Sequence, residues 1–335
     1  MRLGLHNTPL FLAGQTPSAF SERLYRRGRE LIEVHGLRFS ELVWDADEVL
    51  WDWAMSGARL FGKAPLAIFG NLGHREWIAV RPGMLELLWG MRHASIELGH
   101  DPDMRIWTSG YPWRLWEIFR KVKGFRELLG RVDALHPTTH PLVFTRPDYV
   151  AVVKGLLERD LREPLLSRFT AAARETIHRQ LDVKPHDSGF KIPEIAVLAG
   201  REAFAGAKIL IDDAGRNVRW FLSAGRSAVH VKSVTPRIAF GTIPNSAWHP
   251  TRFLRDVRSP VVSAIADALE ALAKDTTPRV LKAVLKPDNE PVRDDGPPHV
   301  VPVFIDVPSH MLWSQWIHPM RELEQAFTKV RKRRV

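Results

Sequence analysis

Short apolar runs alternate along this chain with longer segments of helical periodicity, and this alternation constrains the fold more than any other feature. Strand-like runs cover residues 41–44, 103–107, 207–211 and 228–231, and amphipathic stretches separate them. Parallel strands need a long crossover connection, which is usually a helix. The sequence therefore predicts an α/β fold, in which a parallel sheet carries helices on both faces.

The composition is that of a globular protein with a large core. The 335 residues are 45% hydrophobic and 26% charged, and a chain of this length buries most of its apolar surface. The absence of cysteine excludes disulfides, thiolate zinc sites and cysteine nucleophiles. The N-terminal segment lacks the apolar core of a secretory signal, and no run of about 18 apolar residues occurs. We therefore expect a cytoplasmic protein without a membrane partner.

The pattern divides the chain into a core with two flanking segments. We place an N-terminal helical extension at 1–38, the core at 39–235, and a C-terminal extension with a basic tail at 236–335. Within the core, a turn containing glycine predicts a hairpin flap at 65–80, and 148–188 is interpreted as a helical insertion.

The C-terminal extension is less regular than the core. Proline and charged residues dominate 275–302, which predicts a linker or surface loop, and 301–307 is interpreted as one further strand. The last helix runs into the basic tail, Lys329 to Arg334. Together with the net charge of +10, this tail favours phosphorylated or polyanionic partners.

Polar side chains follow three of the predicted strands at the point where each strand ends. Asp45 and Asp47 follow the first strand, Thr108 follows the second, and Asp212 and Asp213 follow the third. Open α/β sheets bind ligands beyond the carboxyl ends of their strands. If the three strands are neighbours, these side chains share one site; each pair alone is also typical of a turn or a helix cap.

Such a set of side chains supports phosphoryl transfer. A carboxylate can attack phosphorus and form an aspartyl phosphate, a role that suits Asp45, while Asp47 serves as acid and then base. Mg²⁺ prefers carboxylate oxygens and would offset the repulsion between carboxylate and phosphate. The Thr108 hydroxyl and a lysine would hold the phosphoryl oxygens, and Asp212 and Asp213 would complete the metal site.

Four fragments of the chain resemble the signature of the haloacid dehalogenase superfamily of phosphohydrolases. They are VWDADEV, RIWTSG, Lys191 in GFKIPEI, and ILIDDAGRNV, and they occur in the family's order between about Phe39 and Lys232. The hairpin followed by Arg-Pro-Gly is similar to the small-cap branch that contains RNA polymerase C-terminal-domain phosphatases. DEVLWDW and IDDAGRNV resemble the magnesium-dependent phosphatase-1 group.

The resemblance implies a Rossmann-like sheet with a small flap and assigns a role to each matching residue. Asp45 is the expected nucleophile and Asp47 the acid/base. Thr108, Ser109 and Lys191 are the expected phosphate-binding residues. The ligands expected for Mg²⁺ are the acidic residues Asp45, Asp47, Asp212 and Asp213.

Some assignments keep an alternative. Lys184 competes with Lys191, which we prefer because it directly precedes the helix that leads to the acidic strand. Ser109 competes with Thr108. Position 48 is Glu, where many members of the superfamily carry Gly. The segment 148–188 is longer than small-cap members need.

We expect a Mg²⁺-dependent phosphatase that acts through an aspartyl phosphate on a phosphomonoester, either a small molecule or a phosphoprotein. Two other functions stay open on the sequence. One is the same chemistry on nucleic-acid ends, with the basic tail as the contact. The other is a non-catalytic binding protein that keeps the fold.

Overall fold

The protein, described here from a computed structural model, contains a six-stranded parallel sheet and a three-stranded antiparallel sheet. The strands are β1 Leu42–Trp44, β2 Trp51–Ser56, β3 His74–Val80, β4 Arg105–Trp107, β5 Val143–Phe144, β6 Ile209–Asp212, β7 Ser227–Lys232, β8 Val280–Val284 and β9 Pro302–Val307. The structure describes residues 3–11, 16–56, 74–130, 140–182, 191–232, 261–284 and 302–332.

Helices connect and cover these strands. None of the helices in the described residues combines the length and apolarity needed to cross a membrane. The α-helices are α1 Ala19–Glu33, α2 Met84–Glu97, α3 Pro112–Lys121, α4 Phe125–Leu128, α5 Arg146–Leu157, α6 Arg159–Leu166, α7 Ala171–Asp182, α8 Pro193–Leu198, α9 Gly215–Ser223, α10 Val261–Lys274, α11 Ser309–Leu312 and α12 His318–Lys332.

The large sheet has the strand order β5-β4-β1-β6-β7-β8, and all its strands are parallel. The chain moves from β1 outwards through β4 to β5, then returns to β6 and moves outwards the other way. This reversal places a topological switch point between β1 and β6, where a crevice opens at the carboxyl ends of the strands. The predicted α/β architecture is confirmed.

Both faces of the large sheet are buried under helices, because successive strand residues point to opposite sides. One face contacts α2, α3 and α10, and the other contacts α5, α7, α8 and α9. The sheet residues on the first face include Trp44, Ile106, Val143 and Ile211, and those on the second include Val43, Trp107, Phe144 and Leu210.

The N-terminal helix α1 belongs to this packing. It crosses α2 at two glycines so closely that a side chain would clash: a Cβ on Gly28 would lie 2.1 Å from the Leu87 carbonyl oxygen, and one on Gly90 would lie 2.1 Å from the Tyr25 carbonyl oxygen. Ser18 caps α1, because its hydroxyl accepts a hydrogen bond from the Ser21 amide. The two glycines therefore fix how closely the N-terminal segment packs on the core.

The predicted hairpin flap at 65–80 lies partly outside the described residues. β3 lies inside the predicted range of 65–80, but its antiparallel partners are β2 on one side and β9 on the other. Both edges of β3 are thus occupied over 75–79. Residues 57–73 lie outside those described, so the first half of the hairpin stays a prediction. β2 was not among the predicted strands, because Asp52 interrupts its apolar run.

The C-terminal segment contributes to both sheets, beyond the boundary that we set at residue 235. The interpretation of 275–302 as a linker is wrong for β8, which pairs with β7 at the edge of the parallel sheet. The strand expected at 301–307 is confirmed as β9. In the basic tail, Lys329 and Lys332 are exposed on α12, whereas Arg333 and Arg334 lie outside the described residues.

The segment 148–188 contributes helices to one face of the sheet. Val150 and Val153 of α5 and Ile177 of α7 are buried in the same cluster as the strand residues Val43 and Phe144. These helices therefore form part of the layer that covers the sheet. Residues 183–190 are outside the described part of the chain.

Candidate active site

The end of β1 places Asp45 inside the protein at the switch point. The Asp45 amide donates a hydrogen bond of 2.9 Å to the carbonyl oxygen of Ile211 in β6, which extends the ladder by one residue. The side chain is buried. A buried carboxylate needs partners because its transfer from water is costly.

Lys191 supplies that partner and joins two of the strand ends. Its Nζ lies 2.5 Å from Asp45 Oδ1 and 2.7 Å from Asp212 Oδ2, and only 1% of its side chain is exposed. Burial opposes the charge of the ammonium, but Asp212 and Asp45 outweigh this and raise the Lys191 pKa. The structure thus brings Lys191 into the site, whereas the alternative, Lys184, lies outside the described residues.

Asp212 is held by the first turn of α9 as well as by Lys191. Its Oδ1 accepts a hydrogen bond of 2.7 Å from the Ala214 amide, and Asn217 Nδ2 lies 3.2 Å from Oδ1 and 3.1 Å from Oδ2. Asp212 and Asn217 are both buried. The side chain therefore links the end of β6 to α9 and has little freedom to move.

Three carboxylates converge at this point. One oxygen from each of Asp45, Asp212 and Asp213 can be chosen so that all three lie within 4.8 Å of one another. Burial raises the pKa of Asp45 to about 7, with the charge of Lys191 opposing the shift and that of Asp212 adding to it. Burial, then the charges of Asp45 and Asp212, raise the pKa of Asp213 to about 9. Three carboxylate oxygens this close together fit a divalent cation with hard oxygen ligands.

Asp47 is near this group but is held differently. Its carboxylate accepts hydrogen bonds from Arg114 Nη1, at 2.7 and 2.9 Å from its two oxygens, and from Trp51 Nε1 at 2.8 Å. It is not among the three side chains that come together as metal ligands. That Asp47 also binds the metal stays a prediction, and its side chain is held by Arg114 and Trp51. It is half-buried, with 24% of its side chain exposed.

The turn that carries Asp47 is fixed by its backbone. The amides of Leu50 and Trp51 donate to the Ala46 carbonyl oxygen, and Arg81 donates a hydrogen bond of 2.6 Å to the Glu48 carbonyl oxygen. Glu48 has φ +60°, and it is the one non-glycine residue with positive φ in the described part of the chain. Such a conformation strains a side chain and is typical of functional turns.

Thr108 and Ser109 lie at the end of β4, beside Asp47. Thr108 is buried, and its hydroxyl accepts a hydrogen bond of 2.9 Å from the Gly110 amide. A Cβ on Gly110 would lie 3.1 Å from Thr108 Oγ1 and 3.9 Å from Asp47 Oδ2, so both side chains border the same small space. The Ser109 carbonyl oxygen accepts a hydrogen bond of 2.7 Å from Arg146 Nε, and its side chain is half-buried.

The strand ends named from the sequence thus form one site, with Asp45, Asp212, Asp213 and Lys191 at its centre. The sequence analysis missed two contacts. Arg114 lies in the first turn of α3, a few residues after Thr108. Asn217 lies in the first turn of α9, a few residues after Asp213. The signal that could have predicted these contacts is a polar residue in the first turn of a helix that begins at the carboxyl ends of the strands.

Comparison with known proteins adds no relative. The chain matches no protein-family model, and no curated protein or solved structure was found to be similar to it.

Proposed function

We propose that this protein is a Mg²⁺-dependent phosphatase of the haloacid dehalogenase type, which hydrolyses a phosphomonoester through an aspartyl phosphate on Asp45. The observation that carries the proposal is the position of Lys191, whose buried Nζ contacts both Asp45 and Asp212. Asp213 lies close enough to these two carboxylates to hold one metal ion together with them. Bringing buried carboxylates together is costly, and a carboxylate beside a metal site is the arrangement that an aspartyl-phosphate mechanism uses.

In the first half of the reaction, a carboxylate oxygen of Asp45 attacks phosphorus. The bond from phosphorus to the leaving oxygen breaks, and that oxygen takes its proton from Asp47. Arg114 and Trp51 orient the Asp47 carboxylate toward the space beside Thr108. The Thr108 hydroxyl, Ser109 and the Lys191 ammonium would bind the phosphoryl oxygens.

In the second half, a water molecule attacks the phosphorus of the aspartyl phosphate and gives a proton to Asp47. Inorganic phosphate leaves, and Asp45 is regenerated as a carboxylate. Asp47 thus returns to the protonation state with which it began, so the cycle consumes only water.

Asp45 and Asp213, with Asp212, are the residues that would hold Mg²⁺. When bound, the ion supplies the positive charge that lets an anionic carboxylate approach an anionic phosphate. Both oxygens of Asp212 already accept hydrogen bonds, so this residue fits a role in orienting the site as well as in binding the metal.

The test is hydrolysis of p-nitrophenyl phosphate by the purified full-length protein, with and without Mg²⁺. We expect turnover that needs Mg²⁺ and that falls by at least about 1000-fold in Asp45→Asn, because the amide is a poor nucleophile. The melting temperature and circular dichroism spectrum of the variant should stay close to those of the original protein.

Asp306→Asn is the matched control, since Asp306 is an exposed carboxylate on β9. It should retain full turnover. Activity that persists in Asp45→Asn, or that is equally high in the presence of a chelator, would contradict the proposal.

A further inference from the structure

The C-terminal segment that follows β9 lies against the loop at the end of β4. It consists of α11, a π-helical turn at Trp313–Ile317, and the start of α12. The Trp316 ring stacks on Tyr111 with centroids 5.9 Å apart and planes 21° apart. Gln315 Oε1 accepts a hydrogen bond of 2.8 Å from the Trp113 amide.

A second contact reaches the same loop through Arg146. The Arg146 guanidinium lies 5.1 Å from the centroid of the Trp316 ring, and its Nε donates to the Ser109 carbonyl oxygen at 2.7 Å. Trp316 is therefore packed between an aromatic ring of the loop and a guanidinium that is hydrogen-bonded to the loop. Stacking and cation–π contacts of this kind each contribute to holding a side chain in place.

The local backbone directs these side chains. A π-helical turn contains more residues than an α-helical turn, so it rotates the side chains that follow it, and such turns are frequent at functional sites. Trp313 lies at the start of the turn and contacts Arg321 of α12 at 4.8 Å. Gln315 and Trp316, two and three residues later, contact the loop instead.

The loop that these residues contact carries residues of the proposed site and leads directly to another. Thr108 begins it, Gly110 separates Thr108 from Asp47, and Arg114 follows it in the first turn of α3. A movement of the loop would displace the Thr108 hydroxyl and the guanidinium that orients Asp47 together. Displacements of about 1 Å at such groups lower kcat/KM strongly.

We propose that Trp316 and Gln315 are positioning residues that hold the 108–113 loop, so that the phosphate site is complete only when the C-terminal segment is docked. The role of the loop in binding phosphate rests on the proposed function. The docking of the C-terminal segment on the loop does not depend on that function. It assigns a purpose to the C-terminal segment, which sequence analysis left without one.

The test compares Trp316→Ala with Trp313→Ala, since both remove a half-buried tryptophan from the same turn. For Trp316→Ala we expect kcat/KM for p-nitrophenyl phosphate to fall about 10- to 100-fold, mostly through a higher KM, because the loop binds the phosphoryl group before and during the reaction. The inhibition constant of inorganic phosphate should rise in parallel. Trp313→Ala should leave KM unchanged. Trp316→Phe should retain most of the kcat/KM of the original protein.

Hydrogen exchange provides a readout that does not need activity. The amides of 108–111 and of Trp113 should exchange faster in Trp316→Ala, and the Trp113 amide should exchange faster in Gln315→Ala. The amides of α2 should be unchanged in both variants. Equal effects of Trp316→Ala and Trp313→Ala, or unchanged exchange of the loop, would overturn the inference. If the original protein shows no phosphatase activity, the proposed function fails, and the exchange data still decide whether the segment holds the loop.

Discussion

Replacing Lys191 by methionine should destabilise the protein far more than the loss of any surface lysine. The substitution keeps a side chain of similar length but removes the cation that faces Asp45 and Asp212. The ammonium then no longer offsets the repulsion among the three carboxylates, which lie close together. The structure allows the size of this effect to be worked out.

Each of the two contacts, at 2.5 and 2.7 Å, is worth about 6 kcal/mol in an effective dielectric constant of about 20. Most of this gross attraction is offset by the cost of burying the charges. Asp45 and Asp213 can also bind protons, since burial already raises their pKa values to about 7 and about 9. The net cost of removing one partner from such a group is about 3–5 kcal/mol, which for a chain of 335 residues corresponds to a melting temperature lower by about 4–7 °C.

The assay is thermal and urea denaturation of the full-length protein at pH 8, with and without Mg²⁺. Lys208→Met is the matched control, because Lys208 pairs with Glu41 at the surface with 68% of its side chain exposed, and such a pair contributes at most about 1 kcal/mol. Mg²⁺ should raise the melting temperature of Lys191→Met more than that of the original protein, since the cation would replace the missing charge.

If Lys191→Met and Lys208→Met were equally stable, the carboxylates would not depend on Lys191. If Mg²⁺ stabilised neither Lys191→Met nor the original protein, the acidic group would not be a metal site. Either result would refute the electrostatic reasoning.

Three further predictions concern single residues around the site and in the α1–α2 packing. Burial, with nearby Arg29, lowers the His93 pKa to about 4 from 6.5, so its contribution to stability is present above pH 6.5 and is lost as the pH falls toward 4; urea unfolding should show a loss of about 2 kcal/mol between pH 7 and pH 5 that His93→Gln lacks. Arg114→Met removes two contacts to Asp47, so kcat/KM should fall about 10-fold or more for an alkyl phosphate and much less for p-nitrophenyl phosphate, whose leaving group needs no proton; equal losses would contradict this role. Because Glu48 has φ +60°, Glu48→Gly should be about 1 kcal/mol more stable than Glu48→Ala in urea unfolding, and the reverse order would show that the turn is not strained.

The sequence predicted the centre of the fold because buried parallel strands have a simple pattern. β1, β4 and β6 are short apolar runs with polar residues directly after them, and a parallel sheet brings such ends to one edge. Once the three strands are neighbours, Asp45, Thr108 and Asp212 must lie near one another. That inference needed only strand ends and topology.

The edges of the fold depend on pairings that local pattern does not encode. β8 lies at the sheet edge, where one side chain, Lys282, is exposed and the next, Ala283, is buried, so its run of VLKAV is not continuously apolar. β3 pairs with β2 and with the distant β9, and that pairing is decided by long-range contacts.

Side-chain contacts were the least predictable part of the site. Whether Arg114 reaches Asp47 depends on the direction in which the first turn of α3 faces. Trp316 contacts Tyr111 because a π-helical turn changes the direction of the chain, and neither propensity nor periodicity signals such a turn.

The most direct test of the central claim is mass spectrometry of the protein quenched in acid during turnover of p-nitrophenyl phosphate with Mg²⁺. The account predicts one phosphoryl group on the peptide that contains Asp45, labile to hydroxylamine and absent in Asp45→Asn. Sustained turnover with no phosphoryl group on that peptide, or with the group on another residue, would contradict it.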